Sequence, residues 1–351
     1  MRILFSFGYQ HDFINKTYWQ RHGLGGSEYA MMKLAEQFAD HGHDVTVTGK
    51  VGDEVIAGVK FIDYSKLAHN QHFDVVVANN YIHYVPLFDE MNITYKQSYF
   101  WLHNFDFYAW WRRKALPNEG RDVLNDPRIT AFVAVSEYQK QKLETLYPAM
   151  QGRIVVLNNA TDPRDFDRIN VRRVPGKFVY SSSPERGLER LLTAWPKIQA
   201  QLPHATLTVT TPPYAMKWYD RFKTSLDGVS FIDSQPPHKL YTLIKSSEYW
   251  MYPSTYDETY CITALEMMMG GVKLITTDTG NLKYLAEGRA SVVNATADDD
   301  KLIAEMLSAL KDTIDNPDLC AERQHAAERF ARSENWFARY QQWAMTIASF
   351  N

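Results

Sequence analysis

The hydrophobic positions of the chain form short apolar runs that alternate with longer amphipathic segments. In the first half, the apolar runs predict strands at residues 3–7, 45–48, 75–78, 98–102, 129–135 and 154–157. Helices are predicted at residues 27–41 and from Glu137 onward, where apolar side chains recur at steps of three and four. Strands that alternate with helices favour a parallel sheet, so the first half is predicted to form an α/β domain.

The same alternation starts again after Pro163. Strands are predicted at residues 177–180, 206–210, 229–232, 249–252 and 273–276, and helices at residues 188–201, 239–246 and 265–269. The charged stretch at 162–176 is interpreted as a hinge linker because prolines lie near both of its ends. We therefore predict one domain at residues 1–165 and a second at residues 166–334. Residues 335–351 are predicted to form a helix whose aromatic face packs against another part of the protein.

Composition narrows the classes of protein that the chain fits. At 351 residues and 45% hydrophobic content, each of two domains has enough apolar residues for its own core. The net charge of -3 argues against stable nucleic-acid binding. Cys261 and Cys320 are the only cysteines and no metal-binding spacing is present, so we expect neither disulfides nor a metal site. No stretch has the length and apolarity of a transmembrane segment, and a cytoplasmic location is expected.

Two glutamates follow the predicted strand at 249–252. Glu258 precedes a predicted helix that starts near Tyr260 with Asp257 or Thr259 as its cap, and Glu266 lies about two turns along it. The start of such a helix offers free amides that attract a phosphate, while a carboxylate accepts hydrogen bonds from sugar hydroxyls. The spacing therefore suggests a nucleotide-sugar site. An isolated pair of acids is more often two solvated glutamates on an ordinary helix.

Other candidate residues follow predicted strands. The glycine-rich segment 23–28 opens the first long helix, where a backbone lacking side chains can approach a diphosphate and Ser27 can cap the helix. Arg186 follows the strand at 177–180 and offers a fork of donors to phosphate. His103 ends the strand at 98–102. Taken singly, the glycine-rich segment could be an ordinary loop, Arg186 a surface arginine and His103 a structural histidine.

Together these segments resemble the retaining glycosyltransferases of the GT-B fold, in particular glycosyltransferase family four. The acids Glu258 and Glu266 match that family's paired acids, and the following Thr277-Asp278-Thr279-Gly280 is similar to its glycine-ended loop. The resemblance covers nearly the whole chain. It implies two Rossmann-like α/β domains with parallel sheets that face each other across a cleft, and a C-terminal helix that crosses back to the N-terminal domain.

The resemblance also implies roles for individual residues. The donor is a nucleoside diphosphate sugar, the acceptor a hydroxyl on a glycan, a lipid-linked glycan or another molecule, and neither a metal nor a cofactor is required. The catalytic residues implied are His103, Arg186 and Glu258. The donor-binding residues implied are Gly25, Gly26, Ser182, Arg186, Tyr260, Cys261, Ile262, Thr263 and Glu266.

Several positions depart from the family pattern. Ser181 stands where relatives carry an arginine, and Cys261 replaces a glycine. Three alternatives therefore stay open: a sugar-nucleotide epimerase or phosphorylase, a degenerate module that binds a sugar nucleotide without chemistry, and a phage-type enzyme that glycosylates modified DNA bases. The last would use the basic run at 112–114 to contact phosphates. Residues 9–22 and 105–117 are predicted to form loops that select the acceptor.

Overall fold

The computed structural model of the protein describes residues 1–7, 13–80, 84–106 and 124–350. The chain forms two compact units. Unit 1 comprises Met1–Trp19, Gly26–Asn159 and Trp336–Asn351, and unit 2 comprises Gln20–Gly25 and Ala160–Asn335. The main crossings between the units lie at 159/160 and 335/336, where the sequence prediction has boundaries at 165/166 and 334/335.

Unit 1 is built on an eight-stranded sheet. Its strands are β1 (Arg2–Ser6), β2 (Asp44–Gly49), β3 (Glu54–Ile56), β4 (Val59–Asp63), β5 (His72–Asn79), β6 (Thr94–Leu102), β7 (Ala131–Ala134) and β8 (Ile154–Val156). They lie in the order β3-β4-β2-β1-β5-β6-β7-β8. All neighbouring strands pair in parallel except β3 and β4, which form an antiparallel hairpin at the edge. The predicted parallel α/β sheet is confirmed, and the edge hairpin is an addition to it.

The helices of unit 1 cover a core of buried apolar side chains from neighbouring strands. Leu4, Val76, Phe100 and Phe132 belong to one continuous buried cluster. The helices in this part of the chain are α1 (Lys16–His22), α2 (Gly26–Asp40), α3 (Tyr84–Glu90) and α4 (Glu137–Leu146), with short 3-10 turns at Tyr64–Lys66 and Pro148–Met150. The described core fits a sheet that is covered on both faces.

Unit 2 contains a six-stranded sheet in which all neighbouring strands pair in parallel. Its strands are β9 (Lys177–Tyr180), β10 (Thr206–Val209), β11 (Val229–Phe231), β12 (Tyr249–Tyr252), β13 (Lys273–Thr277) and β14 (Ser291–Val293). Their order is β11-β10-β9-β12-β13-β14. The chain thus builds outward from β9 to β11 and then returns to the other side of β9, which is the strand order of the dinucleotide-binding Rossmann fold.

Helices and turns connect the strands of unit 2. The helices are α5 (Pro163–Asp167), α6 (Leu188–Gln201), α7 (Met216–Tyr219), α8 (Pro237–Ser246), α9 (Ile262–Met269), α10 (Leu282–Ala286), α11 (Asp299–Asp315) and α12 (Pro317–Ser333), with 3-10 turns at Pro213–Ala215 and Asp220–Phe222. Helix α5 falls inside the stretch interpreted as a linker. Asp162 caps it by accepting a hydrogen bond from the backbone N–H of Arg164 at 3.0 Å.

The C-terminal helix α13 (Trp336–Ser349) follows unit 2 in the chain but belongs to unit 1. Tyr340 stacks on His41, the residue that follows α2, with ring centroids 4.0 Å apart. Trp343 packs edge to face against Tyr99 of β6, with ring centroids 5.9 Å apart. The aromatic face predicted for this segment is therefore its docking face, and the predicted return of the chain to the first domain is confirmed.

Candidate active site

The strand order of unit 2 creates a topological switch point between β9 and β12. The segments that follow these two adjacent strands lead toward opposite sides of the sheet, and a crevice opens between them at the carboxyl edge. Arg186 lies in the connection after β9, and Glu258 lies in the connection after β12. Two of the residues singled out in the sequence thus flank the place where open α/β sheets bind ligands.

Arg186 and Glu258 form an ion pair at this edge. The Nη1 of Arg186 lies 3.1 and 3.0 Å from the two carboxylate oxygens of Glu258, and Tyr252 donates its hydroxyl to Oε1 at 2.8 Å. The guanidinium also lies 4.2 Å from the ring centroid of Tyr256. Burial lowers the pKa of Arg186, but the Glu258 carboxylate outweighs it and holds that pKa well above its ordinary value. Arg186 therefore keeps its positive charge in the unliganded protein.

The loop that carries Glu258 is held by the segment after β13. Asn281 donates its backbone N–H to the Glu258 carbonyl at 2.8 Å. Gly280 has a φ of +56°, and a Cβ at this position would lie 2.5 Å from the same carbonyl oxygen. Thr279 adds a hydrogen bond to the Tyr256 carbonyl at 3.0 Å. The position of the Glu258 main chain is thus fixed by backbone contacts that only glycine permits at 280.

Helix α9 begins at Ile262, two residues later than predicted, and neither Asp257 nor Thr259 caps it. The N-cap residue is Cys261, which adopts the left-handed conformation with a φ of +74° and supplies no capping side-chain bond. The prediction was wrong because this left-handed residue breaks the helical path after Tyr260. The amides of Ile262 and Thr263 precede Ala264, whose N–H is bonded to the Cys261 carbonyl at 3.1 Å.

Tyr260 and Cys261 have their own contacts beside this helix start. Tyr260 is buried and donates its hydroxyl to Glu334 at 3.0 Å, close to the point where the chain leaves unit 2. Burial raises the pKa of the Cys261 thiol well above its ordinary value, and the charges of Glu258 and Glu266 act in the same direction. Both acids therefore act on one buried thiol, which stays protonated and is not a nucleophile.

Glu266 is buried on α9, with 9% of its surface exposed. Burial raises its pKa to about 7, and the Tyr241 hydroxyl opposes this shift. Tyr241 in turn stacks on Phe166 of α5, with ring centroids 4.3 Å apart. Glu266 is thus a buried carboxyl group whose charge is expensive in the unliganded protein. Such a group is suited to accept hydrogen bonds from a polar ligand.

The serines after β9 differ in their bonding. The Ser182 hydroxyl lies 3.1 Å from the Tyr252 hydroxyl, so Ser182 belongs to the group around Glu258. The Ser183 hydroxyl donates to the Glu185 carboxylate at 2.6 Å. Ser181 is buried, and its Oγ has no hydrogen-bond partner among the described residues.

Gly25 and Gly26 fall in different units. Gly25 ends the short segment of unit 2 that begins at Gln20, and Gly26 is the first residue of α2 in unit 1. The segment is attached to unit 2 through Gly23, where a Cβ would lie 2.7 Å from the Gln235 carbonyl oxygen. Ser27 does not act as the predicted cap, because it lies inside α2 and donates its hydroxyl to the Glu28 carboxylate at 3.0 Å.

His103 lies at the carboxyl edge of the unit 1 sheet in a neutral network. Its Nδ1 is 3.0 Å from the Asn79 amide oxygen and its Nε2 is 3.2 Å from the Asn159 amide oxygen. Its backbone N–H donates to the Asn80 side chain at 2.8 Å. Burial lowers the pKa of His103 to about 4, with the Asn159 hydrogen bond opposing the shift, so the ring is neutral at pH 7. Sequence reasoning assigned no role in the site to these asparagines, although Asn79 ends β5 and Asn80 follows it directly.

Two further features, a metal-binding cluster and a membrane-spanning helix, are absent from the described residues. Among them, no three His, Cys, Asp or Glu side chains gather as metal ligands. Within the same ranges, no helix is both long and apolar enough to cross a membrane. The basic run at 112–114, most of the predicted loop 105–117 and residues 9–12 lie outside the described residues. The prediction of a loop at 9–22 was wrong for its second half, because Lys16–His22 forms helix α1.

Comparison with known proteins identifies the fold and gives a family match within unit 2. Residues 175–312 match the family described as "Glycosyl transferases group 1", whereas no curated protein matches the chain. Among solved structures, sucrose-phosphate synthase from Thermosynechococcus elongatus aligns with a TM-score of 0.73 and 15% identity over 99% of both chains. A glycosyltransferase from Rickettsia africae aligns with a TM-score of 0.70 and 14% identity over 99% of this chain and 98% of that one.

A third similar structure is Anabaena HepE in complex with UDP and glucose. It aligns with a TM-score of 0.67 and 15% identity over 99% of this chain and 100% of that chain. At such low identities the structural likeness establishes the fold, and the family match adds the sequence signature of unit 2. The chain therefore has the GT-B fold, and its residues 175–312 match the model of the group 1 glycosyl transferases.

Proposed function

We propose that the protein is a retaining, metal-independent glycosyltransferase that moves a sugar from a nucleoside diphosphate sugar to a hydroxyl of an acceptor. The acceptor we propose is a glycan, a lipid-linked glycan or another hydroxyl compound, and the enzyme needs no bound cofactor. The family match of unit 2 and the UDP complex of the similar Anabaena protein support a nucleotide-sugar donor. The two cysteines, both free and buried, support a cytoplasmic site of action.

One observation carries the proposal: the switch point of unit 2 brings together groups suited to each part of a nucleotide sugar. Arg186 and the amides of Ile262 and Thr263 provide positive electrostatic potential for a diphosphate. The side-chain oxygens of Glu258 can accept hydrogen bonds from sugar hydroxyls, and the buried Glu266 is suited to the paired hydroxyls of a ribose. We also propose that the donor contacts five further residues, which are Gly25, Gly26, Ser182, Tyr260 and Cys261.

The reaction breaks the bond between the sugar's anomeric carbon and the diphosphate oxygen, and forms a bond from that carbon to the acceptor oxygen. Negative charge builds on the departing diphosphate, where Arg186 and the α9 amides stabilise it. We propose that the acceptor proton passes to a departing phosphate oxygen on the same face of the sugar, so the anomeric configuration is retained. The protonated Cys261 thiol does not support a covalent step through sulfur. His103, neutral at pH 7, is proposed to contact the transferred sugar.

During the reaction, Arg186 must bind the diphosphate in addition to Glu258. In the unliganded protein its Nη1 is bonded to Glu258, and 24% of its side chain is exposed. A bound diphosphate would share the guanidinium with Glu258 through its exposed edge, since a guanidinium offers five donors. The ion pair would then link the sugar-binding acid to the phosphate-binding cation. Mutation of either partner is expected to impair transfer.

The test is a transfer and hydrolysis assay with UDP-, GDP- and ADP-sugars and a panel of hydroxyl acceptors, in the presence and absence of EDTA. Glu258→Gln is expected to lower kcat at least about 100-fold, as loss of a group that acts on the transition state does. The matched control is Glu248→Gln, because Glu248 forms a similar half-buried ion pair with Lys273 at 2.8 Å, at the amino end of β12. The control variant is expected to keep the wild-type rate.

The outcomes separate the proposal from its alternatives. Absence of transfer, donor hydrolysis and nucleotide binding would overturn the proposal. Nucleotide binding without turnover would identify a binding module, and isomerisation of the donor without acceptor would identify an epimerase. Nuclear magnetic resonance of the product anomer decides between retention and inversion. Loss of activity in EDTA that Mg²⁺ or Mn²⁺ restores would contradict the metal-independent mechanism.

A further inference from the structure

Two buried hydroxyl groups lie at the carboxyl edge of the unit 2 sheet without hydrogen-bond partners among the described residues. They are the Oγ of Ser181, whose residue is 9% exposed, and the Oγ1 of Thr211, whose residue is 3% exposed. Ser181 directly follows β9, and Thr211 is the second residue after β10. A buried hydroxyl without a partner destabilises the protein that contains it, so its presence calls for a physical reason.

The neighbouring hydroxyls in the same two connections are all bonded. Ser182 is paired with the Tyr252 hydroxyl and Ser183 with the Glu185 carboxylate, at 3.1 and 2.6 Å. Thr210 donates to the Asp233 carbonyl at 2.9 Å. The local structure thus satisfies three hydroxyls and leaves two, and the two lie on adjacent strands. The lack of a partner is therefore specific to Ser181 and Thr211 rather than general along this edge.

The two connections leave adjacent strands on the side where Arg186 lies. Strands β9 and β10 pair with Val209 opposite Tyr180, and the N–H of Thr210 continues the ladder by donating to the Tyr180 carbonyl at 2.8 Å. Tyr214, three residues after Thr211, acts electrostatically on Arg186, as does Tyr252. The Nε of Arg186 is itself buried and without a partner in the described part of the chain. Three donors without acceptors thus lie in the connection after β9 or in the connection beside it.

We propose that the hydroxyls of Ser181 and Thr211, together with the Nε of Arg186, form a subsite for the phosphate oxygens of the donor. The inference rests on the proposed function and deepens it. All three groups can donate, and a diphosphate presents several strong acceptors within a short distance. Because the Glu258 carboxylate already balances the charge of Arg186, two neutral donors add hydrogen bonds without a second buried cation.

The subsite gives a specific pattern of effects in substituted proteins. Ser181→Ala and Thr211→Val each remove one hydroxyl with little change in volume. Without ligand, both variants are expected to melt a few degrees higher than the wild type, because a buried group without a partner has been removed. With ligand, each is expected to bind nucleoside diphosphates about tenfold more weakly, because a hydrogen bond to a charged acceptor is lost. A hydroxyl that only supports the fold would not give these opposite effects.

The experiment is isothermal titration calorimetry of the wild type, both single variants and the double variant. The ligands are UDP, GDP and ADP, the matching monophosphates and the nucleosides. Thr210→Val is the matched control, because its hydroxyl already bonds to the Asp233 carbonyl. It is expected to lower the melting temperature and to leave the diphosphate affinity within about twofold. A larger loss for diphosphates than for nucleosides in the Ser181 and Thr211 variants supports the phosphate subsite.

Two outcomes overturn the inference and leave the proposed function intact. In the first, the wild type binds a nucleoside diphosphate and both variants bind it equally well. In the second, the variants lose affinity equally for nucleosides and diphosphates, or only for the complete sugar nucleotide, which would assign the hydroxyls to another part of the donor. Failure of the wild type to bind any nucleotide would overturn the proposed function itself.

Discussion

The carboxyl edges of the two sheets carry polar groups of opposite character. In unit 2 the edge holds an ion pair, a buried carboxyl group and donors without partners, at Arg186, Glu258, Glu266, Ser181 and Thr211. In unit 1 the edge holds a neutral network in which the His103 ring bonds to two asparagine side chains. The first edge carries charged side chains and donors without partners, whereas the second consists of neutral side chains, with one such donor, the Trp101 Nε1, beside His103 among the described residues. The comparison predicts that ligand affinity resides in unit 2.

The largest effect is expected from removing one partner of the ion pair. Glu258→Ala leaves the Arg186 guanidinium uncompensated at a largely buried site, which should lower the free energy of unfolding of unit 2 by about 3–5 kcal/mol. The neutral network offers the contrast, since Asn79→Ala should lower that of unit 1 by only about 1–2 kcal/mol. Urea unfolding monitored by hydrogen exchange in each unit measures both. Equal losses in the two variants would remove the distinction between the edges.

Glu266 makes unit 2 less stable as the pH rises. Its pKa is about 7 in the folded protein against 4.5 in the unfolded chain, so the folded state holds the proton more tightly. The stability it contributes is complete below pH 4.5 and is lost as the pH rises through 7, by up to about 3 kcal/mol. Glu266→Gln should therefore be more stable than the wild type at pH 8 and should bind nucleosides more weakly.

The measurement for Glu266 is thermal unfolding at pH 5 and pH 8, with a carbon-13 titration of the Glu266 carboxyl group. Glu248→Gln serves as the control, because it removes a carboxyl group of the same unit away from this edge. If the Glu266→Gln protein showed the same change in stability between the two pH values as the wild type, burial of Glu266 would not be the cause.

His103 should make unit 1 less stable as the pH falls, which is the opposite of the effect of Glu266 on unit 2. Its folded pKa of about 4 lies below the unfolded value of 6.5, so the unfolded chain takes up the proton first. Its contribution is present above pH 6.5 and is lost as the pH falls toward 4, by up to about 3 kcal/mol. Between pH 4.5 and 6.5, acidification should therefore weaken unit 1 while it strengthens unit 2. His103→Gln should abolish the trend in unit 1, and an imidazole resonance that titrates near 6.5 would refute the assignment.

The smallest effect is expected from the Tyr260–Glu334 hydrogen bond, which lies beside the start of helix α9. Tyr260→Phe removes the hydrogen bond to Glu334 and should lower the free energy of unfolding of unit 2 by about 1 kcal/mol. Glu334→Gln keeps an acceptor for the Tyr260 hydroxyl, so it should lower the free energy of unfolding less than Glu334→Ala does. Combining Tyr260→Phe with Glu334→Ala should add little to either single change if the two residues act only through this bond. Fully additive losses would show that they act independently.

The sequence predicts the strands and helices of unit 2 well where apolar runs are bounded by helix- and strand-breaking residues. Strands β9 and β12 and helix α6 have the predicted bounds. The hairpin of β3 and β4 was not predicted, because its strands are short and half exposed and lack a clear apolar alternation. Helices α11 and α12 were also missed, although their polar-rich amphipathic pattern was available in the sequence.

The candidate site was less accessible to sequence reasoning. The proximity of Arg186 to Glu258 follows from the order of β9 and β12 in the sheet, since 72 positions separate the two residues in the chain. The start of α9 was misplaced because the left-handed conformation of Cys261 depends on the surrounding loop rather than on its own preference. The asparagines around His103 come from different segments, so only the folded sheet brings their side chains to one ring.

Because Gly280 lies so close to the Glu258 backbone, substitutions at positions 258 and 280 should have different structural consequences. Because the main chain of residue 258 is anchored by a neighbour without a side chain, the chemical group at 258 can be varied while its attachment point stays in place. A substitution as small as alanine at 280 would instead displace the anchor. Changes at 258 should therefore act through loss of the ion pair with Arg186, and changes at 280 through displacement of the loop backbone itself.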